Sequence, residues 1–258
     1  MGTLDAIFVY PIKAMPGVQV DAVTITQGGA LFNDRRWAIK DEQGRLINGK
    51  NNKRIFSLQA SFDLTSEVVS FPSDKGDEMF KLADRVGLSN YFSEKLGKKV
   101  FLEEDSQQGF PDDMNASGPR IISKESLNAV LSWYPTLFIE DIRARFRINL
   151  EVSSVPAFWE DQLFEANEEP KIIQVGDVKI QSSNPCARCS VPTKDPKSGK
   201  PHSDFYETFI KQREQTRPSW TDDRCFDHWY RLSVNTNIYS TQVGMRIAVG
   251  DKVSIVGL

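Results

Sequence analysis

The chain has 258 residues, 40% of them hydrophobic and 26% charged, the profile of a globular protein with enough apolar material for a core. Lys and Arg number 32 against 35 Asp and Glu, a formal net charge of −3 at pH 7, which excludes a global attraction to nucleic acid or anionic lipid and leaves any anion site local. No basic segment followed by an apolar one opens the chain, and no stretch reaches the apolar run of about 18 residues that a membrane helix needs, so a cytoplasmic protein with no membrane or nucleic-acid partner is expected.

The first hundred residues read as mainly β. Residues 6–10, 18–26 and 31–40 are rich in Val, Ile, Phe and Thr, and Asp41-Glu42-Gln43-Gly44 predicts a hairpin turn before Arg45-Leu46-Ile47. Further short strands are expected at 55–64, 67–71 and 78–82. Leu88, Tyr91, Phe92 and Leu96 share one helical face, with Gly97 behind them as a C-cap, and residues 100–103 then read as a closing strand. Short strands punctuated by turns suggest a small barrel or sandwich. Residues 105–119 are polar and carry Gly, Pro, Asn and Asp, which marks a junction between two units, 1–104 and 105–258.

Beyond the junction, Ser123 predicts the N-cap of a helix whose apolar stripe is Leu127, Val130, Leu131 and Tyr134, stopped by Pro135. A strand through Ile148, a helical turn at 159–164 and two strands around Gly176-Asp177 follow. A helix is expected over 204–215 with Glu207 completing a capping-box-like start. Strands at 232–239, 245–249 and 252–256 end an α+β chain that is mainly β with a few helices.

Three cysteines are too few and odd in number for a disulfide framework, so the thiols are expected to be reduced. Two of them lie in Asn184-Pro185-Cys186-Ala187-Arg188-Cys189-Ser190-Val191-Pro192-Thr193, where two prolines and a turn-forming Asn predict a stiff loop after a strand. Arg188 supplies positive charge that favours a neighbouring thiolate, for metal binding or nucleophilic attack. Two reduced structural cysteines are the plain alternative. A thioredoxin-like pair would need a helix start, which Pro192 and Pro196 oppose. Zinc remains open, because Cys225 and His228 add a C-x2-H pair to the C-x2-C pair, although the spacing is long for a zinc ribbon.

A second signal is Arg143-Ala144-Arg145-Phe146-Arg147-Ile148-Asn149-Leu150. Read as a strand, it places three arginines and Asn149 on one face and Ala144, Phe146, Ile148 and Leu150 on the core. Such a face suits a phosphate, or equally a neighbouring strand bearing carboxylates. Lys13 and the Asn33-Asp34-Arg35-Arg36-Trp37 cluster would not define a site alone. His202 reads as solvated loop, and Glu160-Asp161 as acids favouring a helix start rather than as catalysts.

The ordered set Tyr10-Pro11-Ile12-Lys13, Asp34-Arg35-Arg36-Trp37, Phe146-Arg147-Ile148-Asn149 and Asn184-Pro185-Cys186-Ala187-Arg188-Cys189 resembles the MOSC superfamily proteins that carry an N-terminal MOSC barrel. It is most like the amidoxime-reducing component and its bacterial relatives, and more distantly like the C-terminal part of molybdenum cofactor sulfurase. The resemblance spans essentially the whole chain. It implies an N-terminal β-barrel domain followed by a MOSC β-barrel domain, and a molybdenum cofactor whose pyranopterin leaves Cys189 as the protein's ligand to the metal, with Cys186 a neighbour. It further implies that Lys13, Arg35 and Arg147 hold the pterin phosphate, with Ser117 and Asn149 near the cofactor. Ala14 stands where a phosphate-reaching serine is frequent, which removes one hydrogen bond, and Leu232-Ser233-Val234-Asn235 is only loosely like the family's segment.

The implied activity is reduction of N-hydroxylated or N-oxygenated small molecules by oxygen-atom transfer. Its electrons would come from a separate ferredoxin, flavoprotein or cytochrome-type donor, because the chain has neither four cysteines for a ferredoxin-type cluster nor a G-x-G-x-x-G fingerprint. The alternatives are a sulfur-transfer or cofactor-carrier protein with a Cys189 persulfide, and a zinc-stabilised binding module without catalysis.

Overall fold

A computed structural model describes residues 1–257. The first part of the chain forms β1 (Gly2–Val9), β2 (Val18–Val20), β3 (Ala22–Thr24), β4 (Trp37–Asp41), β5 (Ser61–Asp63), β6 (Val68–Phe71), β7 (Glu78–Lys81), helix α1 (Arg85–Leu96) and β8 (Val100–Glu104). The remainder forms β9 (Ile121–Ser123), α2 (Lys124–Ser132), α3 (Ile139–Phe146), β10 (Leu150–Ser153), β11 (Ile172–Val175), β12 (Val178–Ala187), α4 (Phe205–Gln215), β13 (Arg231–Ile238), β14 (Arg246–Ala248) and β15 (Lys252–Ile255). The protein is mainly β, with four α-helices among the described residues. None of those helices is long and apolar enough to cross a membrane.

Seven strands close into a barrel in the order β1-β10-β9-β13-β12-β11-β15, with β15 pairing back to β1. Closure pairs both edges of every strand in the ring. The β9–β10 pair is parallel, because α2 and α3 carry the chain over between them, and the other pairs are antiparallel. Strand β1 closes the ring from the far end of the sequence, with Ile7 opposite Leu150 and Gly2 opposite Val253. Strand β3 is likewise paired to β14, with Thr24 opposite Arg246. The barrel core gathers Leu4, Leu150, Ile173, Val178, Val234 and Val253, all fully buried.

The sheets β4–β8 and β5–β6–β7 surround a second core, in which Trp37, Ile39, Phe71, Leu88 and Phe92 pack together. A third core lies where α2, α3 and α4 meet through Leu127, Ile142, Phe146, Phe205 and Phe209. The local signals for α1 and α2 operate as their residues dictate. Gly97 ends α1 at φ 69°, a left-handed position that glycine adopts without steric cost, and the Ser123 hydroxyl accepts the Ser126 N–H at the start of α2.

Four expectations need correction. The arginine-rich segment is not a strand: Ile139–Phe146 is helical, with Ala144 exposed and Arg145 only 3% exposed. Glu140 and Asp141 favour the first turn, and Ile142 and Phe146 recur at the helical spacing of four, so the 3.6-residue period wins over the alternation of arginines. Residues 55–57, expected to open a strand over 55–64, belong instead to a turn of 3-10 helix, Lys53–Ser57, capped by the Asn52 side chain. The Asn184-Pro185-Cys186 segment is part of strand β12, not a loop, and only Arg188 and Cys189 lie beyond it. Asp204 precedes α4 at φ 57° with no side-chain cap, so Glu207 completes no capping box.

Candidate functional site

Closure of the barrel by β1 delivers the turn after it, with Tyr10 and Lys13, to the end of α3. Tyr10 lies between two arginines, with the guanidinium of Arg35 5.2 Å and that of Arg147 4.4 Å from its ring centroid. Its hydroxyl donates to the Ile148 carbonyl at 3.0 Å, and burial pushes the phenol up to about 12 despite the pull of Arg147 and Arg35. The ring therefore stays neutral and offers a π-face to both cations. Arg35 donates to Asp34 at 2.5 Å, and Arg147 donates one nitrogen to the Met15 carbonyl while Nη2 is buried without a partner. Burial, and then repulsion from Arg35, bring the Arg147 pKa down to about 10. A cation so disfavoured still carries its charge at neutral pH, and a nearby anion would relieve it.

Three cations converge on one carboxylate. Lys13 Nζ lies 2.6 Å from Asp112 Oδ1, while Arg120 Nη1 and Arg35 Nη2 lie 3.0 and 3.5 Å from Oδ2. Lys13 spends its other two protons on the carbonyls of Phe110 and Pro111, and burial lowers its pKa against the opposing pull of Asp112. Desolvation against the pocket wall opposes ionisation of Asp112, but Arg120, Arg35 and Lys13 outweigh it and hold the carboxyl well below its usual range. We call this cluster the cradle. Its backbone is strained as well, since Ala14 (φ 68°), Asn33 (φ 66°), Arg35 (φ 50°) and Arg147 (φ 52°) are all left-handed non-glycine residues. Strain of this kind, of order 1–3 kcal/mol per residue, persists where the surroundings enforce it and is concentrated at functional sites.

The residues singled out in the sequence divide into those that face this pocket and those that do not. Arg35, Ser117 and Asn149 line it, and Lys13 reaches Asp112 from beneath. Ser117 donates its hydroxyl to the Gly28 carbonyl, which ties the 105–119 loop to the turn after β3. Asn149 spends its amide on backbone, accepting from Arg120 N and donating to Phe8 O, so it holds the pocket wall in place. Arg143 faces elsewhere and forms a two-pronged pair with buried Glu151, at 2.8 Å on each prong. Arg145 also lies outside the cradle, donating to the carbonyls of Pro192 and Lys194 just past Cys189.

The two cysteines of the C-x2-C segment are in opposite settings. Cys189 is exposed on the turn that leaves β12, its sulfur accepting from Val191 N at 3.5 Å. Cys186 is 3% exposed within β12 and receives Arg188 Nη1 at 3.0 Å. Burial alone would raise the Cys186 thiol, but the guanidiniums of Arg188 and Arg120 hold it below its ordinary value. The charge expected from Arg188 therefore acts on Cys186, and Arg188 also anchors this turn by donating to the Phe146 carbonyl at the end of α3. The zinc arrangement is not formed. Among the described residues no three His, Cys, Asp or Glu side chains converge as a metal site, so the C-x2-C and C-x2-H pairs do not meet.

Sequence reasoning missed Arg120 and Asp112. Arg120 follows Pro119 at the end of the polar junction with no local pattern to mark it, and Asp112 is one of many acids in that segment. Only the fold joins them to Lys13 and Arg35, nearly a hundred residues earlier.

The chain matches two families along its length, one described as "MOSC N-terminal beta barrel domain" over residues 1–110 and one as "MOSC domain" over residues 120–254. It is 21% identical over 259 residues to the Molybdenum cofactor sulfurase of Bos taurus, covering 81% of this chain but only 28% of that protein. It is 23% identical over 243 residues to the Mitochondrial amidoxime reducing component 2 of Bos taurus, covering 77% of this chain and 68% of that protein. The 25% identity to the Molybdenum cofactor sulfurase of Caenorhabditis elegans extends over 223 residues, 77% of this chain and 30% of the relative.

Proposed function

The chain belongs to the MOSC family, and from that premise we propose that it is a molybdenum-cofactor-dependent oxidoreductase that reduces N-hydroxylated or N-oxygenated small molecules. The observation that carries the reading is the cradle, in which buried Lys13, Arg35 and Arg120 gather around the Asp112 carboxylate with Arg147 beside Arg35, in a chain that also presents the exposed thiol of Cys189. These residues fit the cofactor. The Asp112 carboxylate is a stand-in for an anionic group, the unpartnered Nη2 of Arg147 is a free donor, and an exposed thiolate is the soft ligand that a sulfur-bound molybdenum takes.

Lys13, Arg35 and Arg147 would hold the pterin phosphate, and Cys189 would be the protein's ligand to molybdenum. When bound, the cofactor supplies the two-electron chemistry of oxygen-atom transfer. The chain's own work is binding and orientation. Arg145 and Arg188 fix the turn that carries Cys189, the first by holding the Pro192 and Lys194 carbonyls and the second by holding the Phe146 carbonyl. Tyr10 presents its ring to both Arg35 and Arg147. A separate electron-donor protein completes the reaction, and a cytoplasmic setting suits three reduced thiols. The relatives named as sulfurases support a second reading, a carrier that bears a persulfide on exposed Cys189.

The test is turnover of an N-hydroxylated amidine by protein made in a cofactor-competent host, with a chemically reduced viologen as electron source. The reading expects turnover that Cys189→Ala abolishes. No turnover, together with a cyanide-labile sulfur on Cys189, would move the assignment to the sulfur carrier.

A further inference from the structure

The resemblance assigns the phosphate to Lys13, Arg35 and Arg147, and it leaves two members of the cluster without a role. Arg120 is 9% exposed and held from three sides. Its backbone N–H is fixed by Asn149 Oδ1 at 3.1 Å, its Nε is satisfied by Asn235 Oδ1 at 3.3 Å, and its Nη1 reaches Asp112 at 3.0 Å. With its backbone and Nε fixed, the guanidinium lies between the buried Cys186 thiol, which it helps to hold down, and the pocket, to which Nη1 is turned through Asp112. Asp112 is its opposite in character, with a side chain 44% exposed on the polar loop between Gly109 and Gly118. The loop is pinned on either side of Asp112, by Phe110 N on the Arg35 carbonyl and by Gly118 N on the Thr236 carbonyl, while the Asp112 carboxylate has no partner but the three cations.

We propose that Arg120 is a fourth anion-binding residue of this pocket, and that Asp112 is an exchangeable counter-ion which a ligand's phosphate group displaces from Lys13, Arg35 and Arg120. The charge balance agrees. Lys13, Arg35, Arg120 and Arg147 face Asp34 and Asp112, and Asp34 is committed to Arg35 and to the Tyr10 N–H. When Asp112 swings out, the four cations exceed Asp34 by three charges, so a doubly charged phosphate is still met by an excess of one, and its oxygens can replace both carboxylate oxygens and also reach the free Nη2 of Arg147. Asp112 thereby sets how tightly the phosphate is held. It keeps the cations neutralised and the pocket soluble, at the cost of competing with the ligand.

This inference rests on reading the cradle as the seat of the cofactor's phosphate, so its test uses inorganic phosphate alone, titrated calorimetrically into the full chain made in a host that synthesises no pterin cofactor. Asp112→Asn removes the competing charge with little change of shape, and is expected to bind phosphate about tenfold more tightly than the unaltered chain. Arg120→Met is expected to bind roughly tenfold more weakly, with partial recovery in Arg120→Lys. Thermal melts accompany each variant, and if Arg120→Met does not fold, the half-exposed Asp112→Asn alone decides. Equal phosphate affinity in Asp112→Asn and the unaltered chain overturns the proposal, as does undetectable binding in both. Molybdenum content from a cofactor-competent host separates this from the parent reading. Tighter phosphate binding without molybdenum in any variant keeps the anion site and sinks the cofactor, whereas molybdenum retained with unchanged phosphate affinity sinks the exchange alone.

Discussion

The protein has two buried groups of charge, and they are built on different rules. Beneath the helical layer, Asp161 is 4% exposed and Arg213 1%. They pair at 2.5 Å, with Thr221 donating a further hydrogen bond to Asp161, and the Arg213 guanidinium lies 4.1 Å from the Phe158 ring centroid. Arg213 and Asp161 thus meet their opposites inside the protein. In the cradle, four cations share two carboxylates, one of them half exposed, and the backbone around them is strained. A self-neutralised cluster holds a fold together, whereas one that must borrow its counter-ion from a loop is arranged for a ligand.

Substitution should separate the two. The largest effect on stability is expected in the sealed cluster, where Arg213→Met strands Asp161 as a buried unpaired charge and costs about 3–5 kcal/mol in urea unfolding. A midpoint within experimental scatter of the unaltered protein would show that this pair carries no structural burden. In the cradle the consequence is reversed. Arg147→Met removes a cation disfavoured by burial and by Arg35, so the melting temperature should hold or rise, while cofactor retention falls roughly 10–100-fold with the loss of a charged donor. Destabilisation with cofactor retention unchanged would place Arg147 in the structural class.

A smaller effect sharpens the comparison through pH. Glu160 is 1% exposed, its Oε2 accepts from Ser123 N and Ser126 Oγ, and burial followed by the adjacent Asp161 raises its carboxyl to about 7. Its folded pKa thus lies above the unfolded value of 4.5, so the folded state binds the extra proton between the two. Stability from this group is complete below about pH 4.5 and is lost as pH rises through about 7, amounting to about 3 kcal/mol. Glu160→Gln should remove that decline, gaining on the unaltered protein between pH 5 and 8 in thermal melts. Parallel profiles would contradict the raised value.

Much of this was legible in the chain. The apolar spacing of Leu88, Tyr91, Phe92 and Leu96 and the glycine behind them specify α1 locally, and Ser123 does the same for α2. Lys13, Arg35 and the cysteine segment stand out in the chain because they come as an ordered set. The arginine segment was misread because Arg143, Arg145 and Arg147 alternate as a strand face would. Charged side chains satisfy either period, and the apolar residues that decide it, Ile142 and Phe146, lie four apart. Arg120 and Asp112 could not be found locally at all. Their partners lie on a turn delivered by β1, and that strand's place in the barrel is a property of the whole closed sheet. The partner of Arg188 was hidden for a similar reason, since β12 runs on through Pro185 and turns Cys186 inward while Cys189 stays outside.

Whether the cradle and Cys189 together hold a molybdenum cofactor is tested most directly by the molybdenum and zinc content of protein purified from a cofactor-competent host, comparing the unaltered chain with Cys189→Ala. Molybdenum near one per chain, lost in Cys189→Ala, and no stoichiometric zinc are expected. Molybdenum unaffected by the substitution, or stoichiometric zinc with no molybdenum in the unaltered chain, would contradict the cofactor reading.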